Sequence, residues 1–269
     1  MSEFSFWRPS QAEDGAASRP ELTVEPALLP WGFWATTGWA VLGFAAWLAA
    51  QLGIVSIMLL WWNNRHPQQP ISAADLISNG VALSIVMIGA SPVLIGVLLL
   101  AVRRAGWRIS SYLCLKLPTR REFAIALLSL AVVLFASDAT TAMLGREVTP
   151  VFAVDVYRSA RDAGALPLLV VALVVVAPAV EEIAFRGFLF RGFAASRLGV
   201  GGAIMVTSAL WAATHAQYDR FGIAQVFLIG LLLGTARWLS GSTMLTMVMH
   251  GLTNAAATLQ AALAVEWLG

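Results

Sequence analysis

Val-Glu-Glu-Ile-Ala-Phe-Arg-Gly-Phe-Leu-Phe, residues 180–190, sets two adjacent carboxylates and an arginine inside an otherwise apolar run. An ionisable side chain at the bilayer centre costs roughly 2.5–3.5 kcal/mol on insertion scales, so three such groups in so short a stretch must be paired or used. Residues four apart share a helix face, so Glu182 and Arg186 are expected to form an ion pair, with Glu181 about 100° round the axis. Glu181 is then the carboxylate left over. The competing reading is that all three charges only neutralise one another and lock helix packing.

Outside that stretch, composition sets the frame. Of 269 residues, 59% are hydrophobic and 12% charged, against about 25% charged in an ordinary soluble domain. The expected fold class is all-α, a polytopic transmembrane helical bundle of about seven spans, within a range of about six to eight. The spans are expected over about 31–61, 77–102, 123–144, 166–190, 200–215, 221–239 and 243–268. Aromatic ends at Trp31, Trp61 and Trp62 suit the first to both headgroup levels. In the fourth, Pro178 should bend the helix just before Glu181 and loosen its hydrogen bonds. Asp138 stands with Ser137, Thr140 and Thr141 toward the end of the third span, where a wet or hydrogen-bonded setting is expected.

Residues 1–30 read as a polar, disordered, cytoplasmic arm in which Phe4, Phe6 and Trp7 touch the interface, and residues 31–269 as a single transmembrane domain. The arm lacks the charged, apolar, small-residue succession of a cleaved signal, so targeting is assigned to the first apolar helix. Residues 145–165 read as a polar loop of mixed charge. A lone Cys114 excludes an internal disulfide framework and any multi-cysteine metal site.

Lys and Arg decide orientation. With the N-terminus inside, twelve lie in cytoplasmic segments and five (Arg65, Arg146, Arg158, Arg161, Arg220) outside, although Arg186 carries little weight. The run Arg103, Arg104, Arg108, Lys116, Arg120 and Arg121 is a topology determinant, not a nucleic-acid patch. Between its members Trp107, Tyr112, Leu113, Leu115 and Leu117 suggest an amphipathic segment lying on the inner surface.

Two of the three histidines, His215 and His250, have apolar surroundings; His66 is in a loop. The fourth and fifth spans should form an antiparallel hairpin turning near residues 198–202. Glu181 and His215 then each lie roughly 17 residues, or about 25 Å, from the turn and fall at one depth. His250 and Asn254 share a helix face. A Glu, two His and an Asn from three helices can converge on one polar cavity. There a desolvated carboxylate can remove a proton from water while a neighbouring His orients that water. A second His and an Asn amide can donate hydrogen bonds to the oxyanion that forms when water adds to a carbonyl. Ser208 and Thr214 lie in no nucleophile-elbow sequence, so a serine mechanism is disfavoured.

Glu181-Glu182-x-x-x-Arg186, Trp211-x-x-x-His215 and His250-x-x-x-Asn254, in this order, resemble the motifs of the CPBP family of intramembrane proteases. That family includes type II CAAX prenyl endopeptidases and bacterial Abi-type bacteriocin-processing or immunity proteins. The similarity covers about residues 120–260, the expected protease core. It implies hydrolysis of a peptide bond in a membrane-associated or lipid-modified peptide, in a cavity opening toward the cytoplasm. By motif position it implies Glu181 as general base, His215 as its water-positioning partner and His250 with Asn254 as oxyanion stabilisers. Glu182, Arg186 and Trp211 would be supporting residues. Trp211 stands where the family usually has Phe, and the eighth span of some members has no counterpart.

The favoured mechanism needs no cofactor. Zinc is the alternative, with Glu181, His215 and His250 as its ligands, although no His-Glu-x-x-His pair is present. The expected partners are the bilayer and a peptide substrate, with no nucleic acid, and the expected location is a prokaryotic inner membrane with the N-terminus cytoplasmic. The competing functions are a non-catalytic binding or bacteriocin-immunity protein and a proton-coupled transporter; the paired repeats of many transporters are missing.

Overall fold

The computed structural model describes residues 30–267, so the N-terminal arm and its aromatic contacts lie outside the described residues apart from Pro30. It is 81% helical with no strand among the described residues, the all-α architecture expected. The helices are α1 (Phe33–Arg65), α2 (Ala73–Ile77), α3 (Gly80–Arg104), α4 (Ile109–Tyr112), α5 (Arg120–Met143), α6 (Val151–Asp162), α7 (Leu166–Ala194), α8 (Gly199–Ala213), α9 (Arg220–Ser240) and α10 (Thr243–Trp267).

Each apolar stretch read from the sequence has its helix. Five of them, α1, α3, α5, α7 and α9, are long and apolar enough to cross a membrane. The apolar α8 has only 15 residues, about 22 Å, against roughly 30 Å of hydrocarbon core. Its C-terminal end, carrying Trp211 and leading into His215, therefore stops short of the depth its neighbours cross. α7 is the most enclosed span, and α1 and α5 turn most of their side chains outward. Trp34, Leu52, Ile57, Leu128 and Phe135 are exposed apolar groups suited to lipid.

The core forms where α7 meets α3, α8, α9 and α10, around Leu94, Leu98, Phe185, Phe188, Leu233 and Met249. The basic end is stitched shut by backbone contacts. Thr243 N–H donates to the Cys114 carbonyl at 3.0 Å, and the Thr243 and Ser242 hydroxyls donate to the carbonyls of Leu113 at 2.6 Å and Lys116 at 2.5 Å.

Two expectations change. The segment between α3 and α5 does not simply lie on the surface: Tyr112 and Leu113 are buried in the bundle and only Leu117 remains fully outside. Residues 145–165 are not a plain loop. They contain α6, whose Phe152, Val156 and Ala160 recur at a spacing of four and pack inward with Leu169. The charges of Asp155, Arg158, Arg161 and Asp162 had masked that spacing.

Within α7, two π-helical stretches, Val171–Val176 and Ile183–Leu189, flank the α-helical turn that carries Glu181 and Glu182. Pro178 is the cause of the first, since it has no N–H to give the preceding turn. Ala177 N–H bonds back to the Ala172 carbonyl, so the Leu173 carbonyl faces Pro178 without a helical donor. The loosening expected at Pro178 takes this form.

Candidate active site

The expected pair is present. Arg186 Nη1 donates to Glu182 Oε1 at 2.9 Å, and neither side chain has any exposed surface. His250 Nδ1 lies 3.0 Å from the same oxygen. An ionised carboxylate only accepts, so this ring nitrogen carries the proton. Arg186 also donates from Nη2 to the Gly230 carbonyl at 3.2 Å. At the same glycine α8 and α9 approach closely: a Cβ at Gly230 would come within 2.9 Å of Ser208 Cβ. The Arg186 carbonyl accepts in turn from Arg237 Nε at 3.0 Å. Arg237, counted above among the cytoplasmic charges, is 5% exposed, so the orientation count should omit it together with Arg186.

Glu181 stands apart, as the helix geometry requires. It is half-buried, and its Oε2 accepts a hydrogen bond from the Trp211 indole Nε1 at 2.5 Å. The indole lies between the two carboxylates' surroundings: the Arg186 guanidinium sits over its ring at 4.6 Å. The rings of His215 and His250 meet it edge-on with centroids 5.0 and 5.1 Å away. His215 Nδ1 is 2.9 Å from the Trp211 carbonyl, which fixes the ring one turn beyond the indole. Glu181 and His215 thus share one neighbourhood, as the depth argument expected, with Trp211 between them.

Asn254 is on α10 one turn beyond His250, and its Nδ2 donates to the Leu173 carbonyl at 2.8 Å. This is the carbonyl that Pro178 leaves without a helical donor. Gly251 permits the approach, because a Cβ there would come within 2.8 Å of the Val174 carbonyl oxygen. The π stretch of α7 and the His250-x-x-x-Asn254 motif of α10 are therefore parts of one joint.

Sequence reading gave Tyr218 no role. Its ring stacks on His215 with centroids 6.2 Å apart and 16° between planes, and Phe152 of α6 meets it edge-on at 6.4 Å. Burial pushes the Tyr218 hydroxyl above the ordinary tyrosine range, the Gln217 side chain opposing. Its position three residues after His215 was the available signal. Ala213, Thr214, Ala216 and Gln217 around this point are exposed.

Among the described residues no group of three or more His, Cys, Asp or Glu side chains is gathered as a metal site would need. Glu181, His215 and His250 do not form one: Glu181 binds an indole and His250 the other glutamate.

Residues 163–256 match the family model described as Type II CAAX prenyl endopeptidase Rce1-like. This segment is similar to the Rce1-like family. It contains every residue of the three motifs, and the resemblance read from them is to the same group of proteins. An Escherichia coli protein named "Uncharacterized 24.3 kDa protein" is 33% identical over 87 residues, covering 31% of this chain and 39% of that protein. The chain thus spans well under half the length of this curated relative. No solved structure matches.

Proposed function

We propose that the protein is an intramembrane endopeptidase that hydrolyses a peptide bond of a membrane-associated or lipid-modified peptide. The observation that carries this reading is the separation of the two glutamates. Glu182 is consumed by Arg186 and His250, whereas Glu181 is half-buried, held by a single hydrogen bond and close to His215. A carboxylate whose one hydrogen bond comes from a neutral N–H keeps lone pairs for a water molecule. Glu181 acts as general base, His215 orients the water, and the proton passes to the leaving amine. The carbonyl of the scissile bond becomes an oxyanion that needs donors.

His250 and Asn254 are assigned to that oxyanion, with a chemical condition on each. With Nδ1–H directed at Glu182, His250 can donate from Nε2 only as an imidazolium; neutral, it offers Nε2 as an acceptor. Asn254 has one amide N–H on Leu173 and keeps the second for a ligand. The Rce1-like segment supports a peptidase over a transporter.

The basic end is taken as cytoplasmic. α9 runs from the Asp219 end to the turn at Gly241, which is tied to the basic loop through Cys114. The exposed approach at Ala213–Gln217 then opens on the opposite side of the membrane, against the cytoplasmic opening implied above. A cysteine at Gln217, in a Cys114→Ser background, should react with impermeant maleimide from outside intact cells; labelling only after lysis reverses this orientation.

The central test is cleavage of a membrane-peptide library by purified wild type and by Glu181→Ala and His215→Ala variants at matched folding. Cleavage by wild type alone is expected. Undiminished cleavage by Glu181→Ala removes the mechanism, and a wild type that cleaves nothing favours a binding or immunity role.

A further inference from the structure

The Trp211 indole N–H points at the one carboxylate that the buried Glu182–Arg186 pair leaves free. Trp211 is 2% exposed. Its N–H donates to Glu181 Oε2 at 2.5 Å, and Glu181 accepts no other hydrogen bond among the described residues. The ring is fixed from several directions. Arg186 covers its face at 4.6 Å, and the two histidine rings abut it at 5.0 and 5.1 Å. An indole so wedged cannot turn its donor away without displacing the buried ion pair, so the direction of the N–H is set by the fold. We infer that Trp211 is a positioning residue for Glu181: it clamps Oε2 and leaves Oε1 as the oxygen that meets water.

This rests on the assignment of Glu181 as base, and it adds a dependence that a phenylalanine could not supply. A phenylalanine would keep the aromatic face for Arg186 and leave the carboxylate free to rotate. A buried indole N–H requires an acceptor, so the bond satisfies the donor while it orients the base. Proximity and orientation of a catalytic group carry much of an enzyme's acceleration, so loss of the clamp falls on turnover and spares substrate binding.

The test replaces Trp211 by 3-benzothienylalanine, which keeps the bicyclic shape and puts sulfur in place of the N–H, and reads kinetics beside the indole N–H resonances of 15N-labelled protein in detergent. The Trp211 resonance is identified by its loss in Trp211→Phe. It should move upfield in Glu181→Ala, and the benzothienyl protein should lose about tenfold in kcat with KM unchanged, as expected for a charge-assisted hydrogen bond. An unmoved resonance shows that the bond is absent, and full kcat in the benzothienyl protein shows that it positions nothing; either overturns the inference. If wild type cleaves no peptide while the resonance does move, the bond stands and the base assignment fails, taking the positioning role with it.

Discussion

Glu181 and Glu182 are neighbours in sequence and differ in almost every physical respect. Glu182 has no exposed surface and gives one oxygen to both a guanidinium and an imidazole. Glu181 is half-buried and receives one indole N–H. A rotation of about 100°, one residue along the helix, separates a carboxylate used for cohesion from one available for chemistry. A charge buried as deeply as Glu182 is tolerable only because its partners come with it. A charge placed like Glu181 is costly to retain, and one indole N–H does not neutralise it, which is why function is sought there.

The largest expected effect separates the two by activity. Glu181→Gln keeps the size of the side chain and an oxygen for the Trp211 N–H, and removes only the base. Cleavage should fall by about 10²- to 10⁴-fold, the usual span for a general base, while the melting temperature stays with wild type. If Glu181→Gln melts early and Glu182→Gln does not, the roles of the two glutamates are reversed.

Stability should show the opposite pattern. Glu182→Ala strands Arg186 and His250 in the core, and removal of one partner of a buried pair costs roughly 3–5 kcal/mol. The double change Glu182→Met with Arg186→Met should recover most of that loss, because no charge is left unpaired. Denaturation in mixed micelles would check both, and a single variant as stable as wild type would show that the pair contributes no cohesion.

How far the sequence carried this contrast depends on the range of each interaction. The Glu182–Arg186 pair was readable because both groups share one helix and a spacing of four fixes their geometry. The five long apolar helices and the shorter α8 were readable because length and hydropathy are local, whereas α10, with His250, Asn254 and Gln260 along it, is not apolar enough to count with them. The clamp by Trp211 was not, since the direction of an indole N–H depends on how α8 packs against α7. The joint between Asn254 and Leu173 needed the π stretch, of which Pro178 was the only local sign. α6 was legible in Phe152, Val156 and Ala160 but hidden by the charges between them.

That joint gives a middle-sized test. Asn254→Ala leaves the partly buried Leu173 carbonyl without a donor, and an unmet acceptor of this kind costs up to about 1–3 kcal/mol. Asn254 is also assigned to the oxyanion, so the variant should lose both stability and kcat. Loss of kcat at unchanged stability would mean that the Leu173 contact contributes little and that Asn254 belongs with Glu181; loss of stability alone would place it with Glu182.

The smallest effect concerns a third carboxylate, outside the membrane-spanning part, where neither burial nor chemistry complicates the sign. Asp219 caps α9. The Gly222 N–H holds its carboxyl below the usual range, with Arg146 adding to the same effect. Asp219 also pairs with Arg146, which joins the loop after α5 to the start of α9. A carboxylate whose proton affinity is depressed in the folded state stabilises that state above the ordinary carboxylate range, and the contribution is lost as pH falls through the depressed value. Amide exchange at Gly222 should therefore quicken on acidification, and Asp219→Asn should remove the pH dependence while an Asn cap keeps much of the protection. If exchange at Gly222 and global unfolding follow a single acid transition, the α9 cap is coupled to the buried cluster, and the line drawn here between surface and core carboxylates would have to be moved.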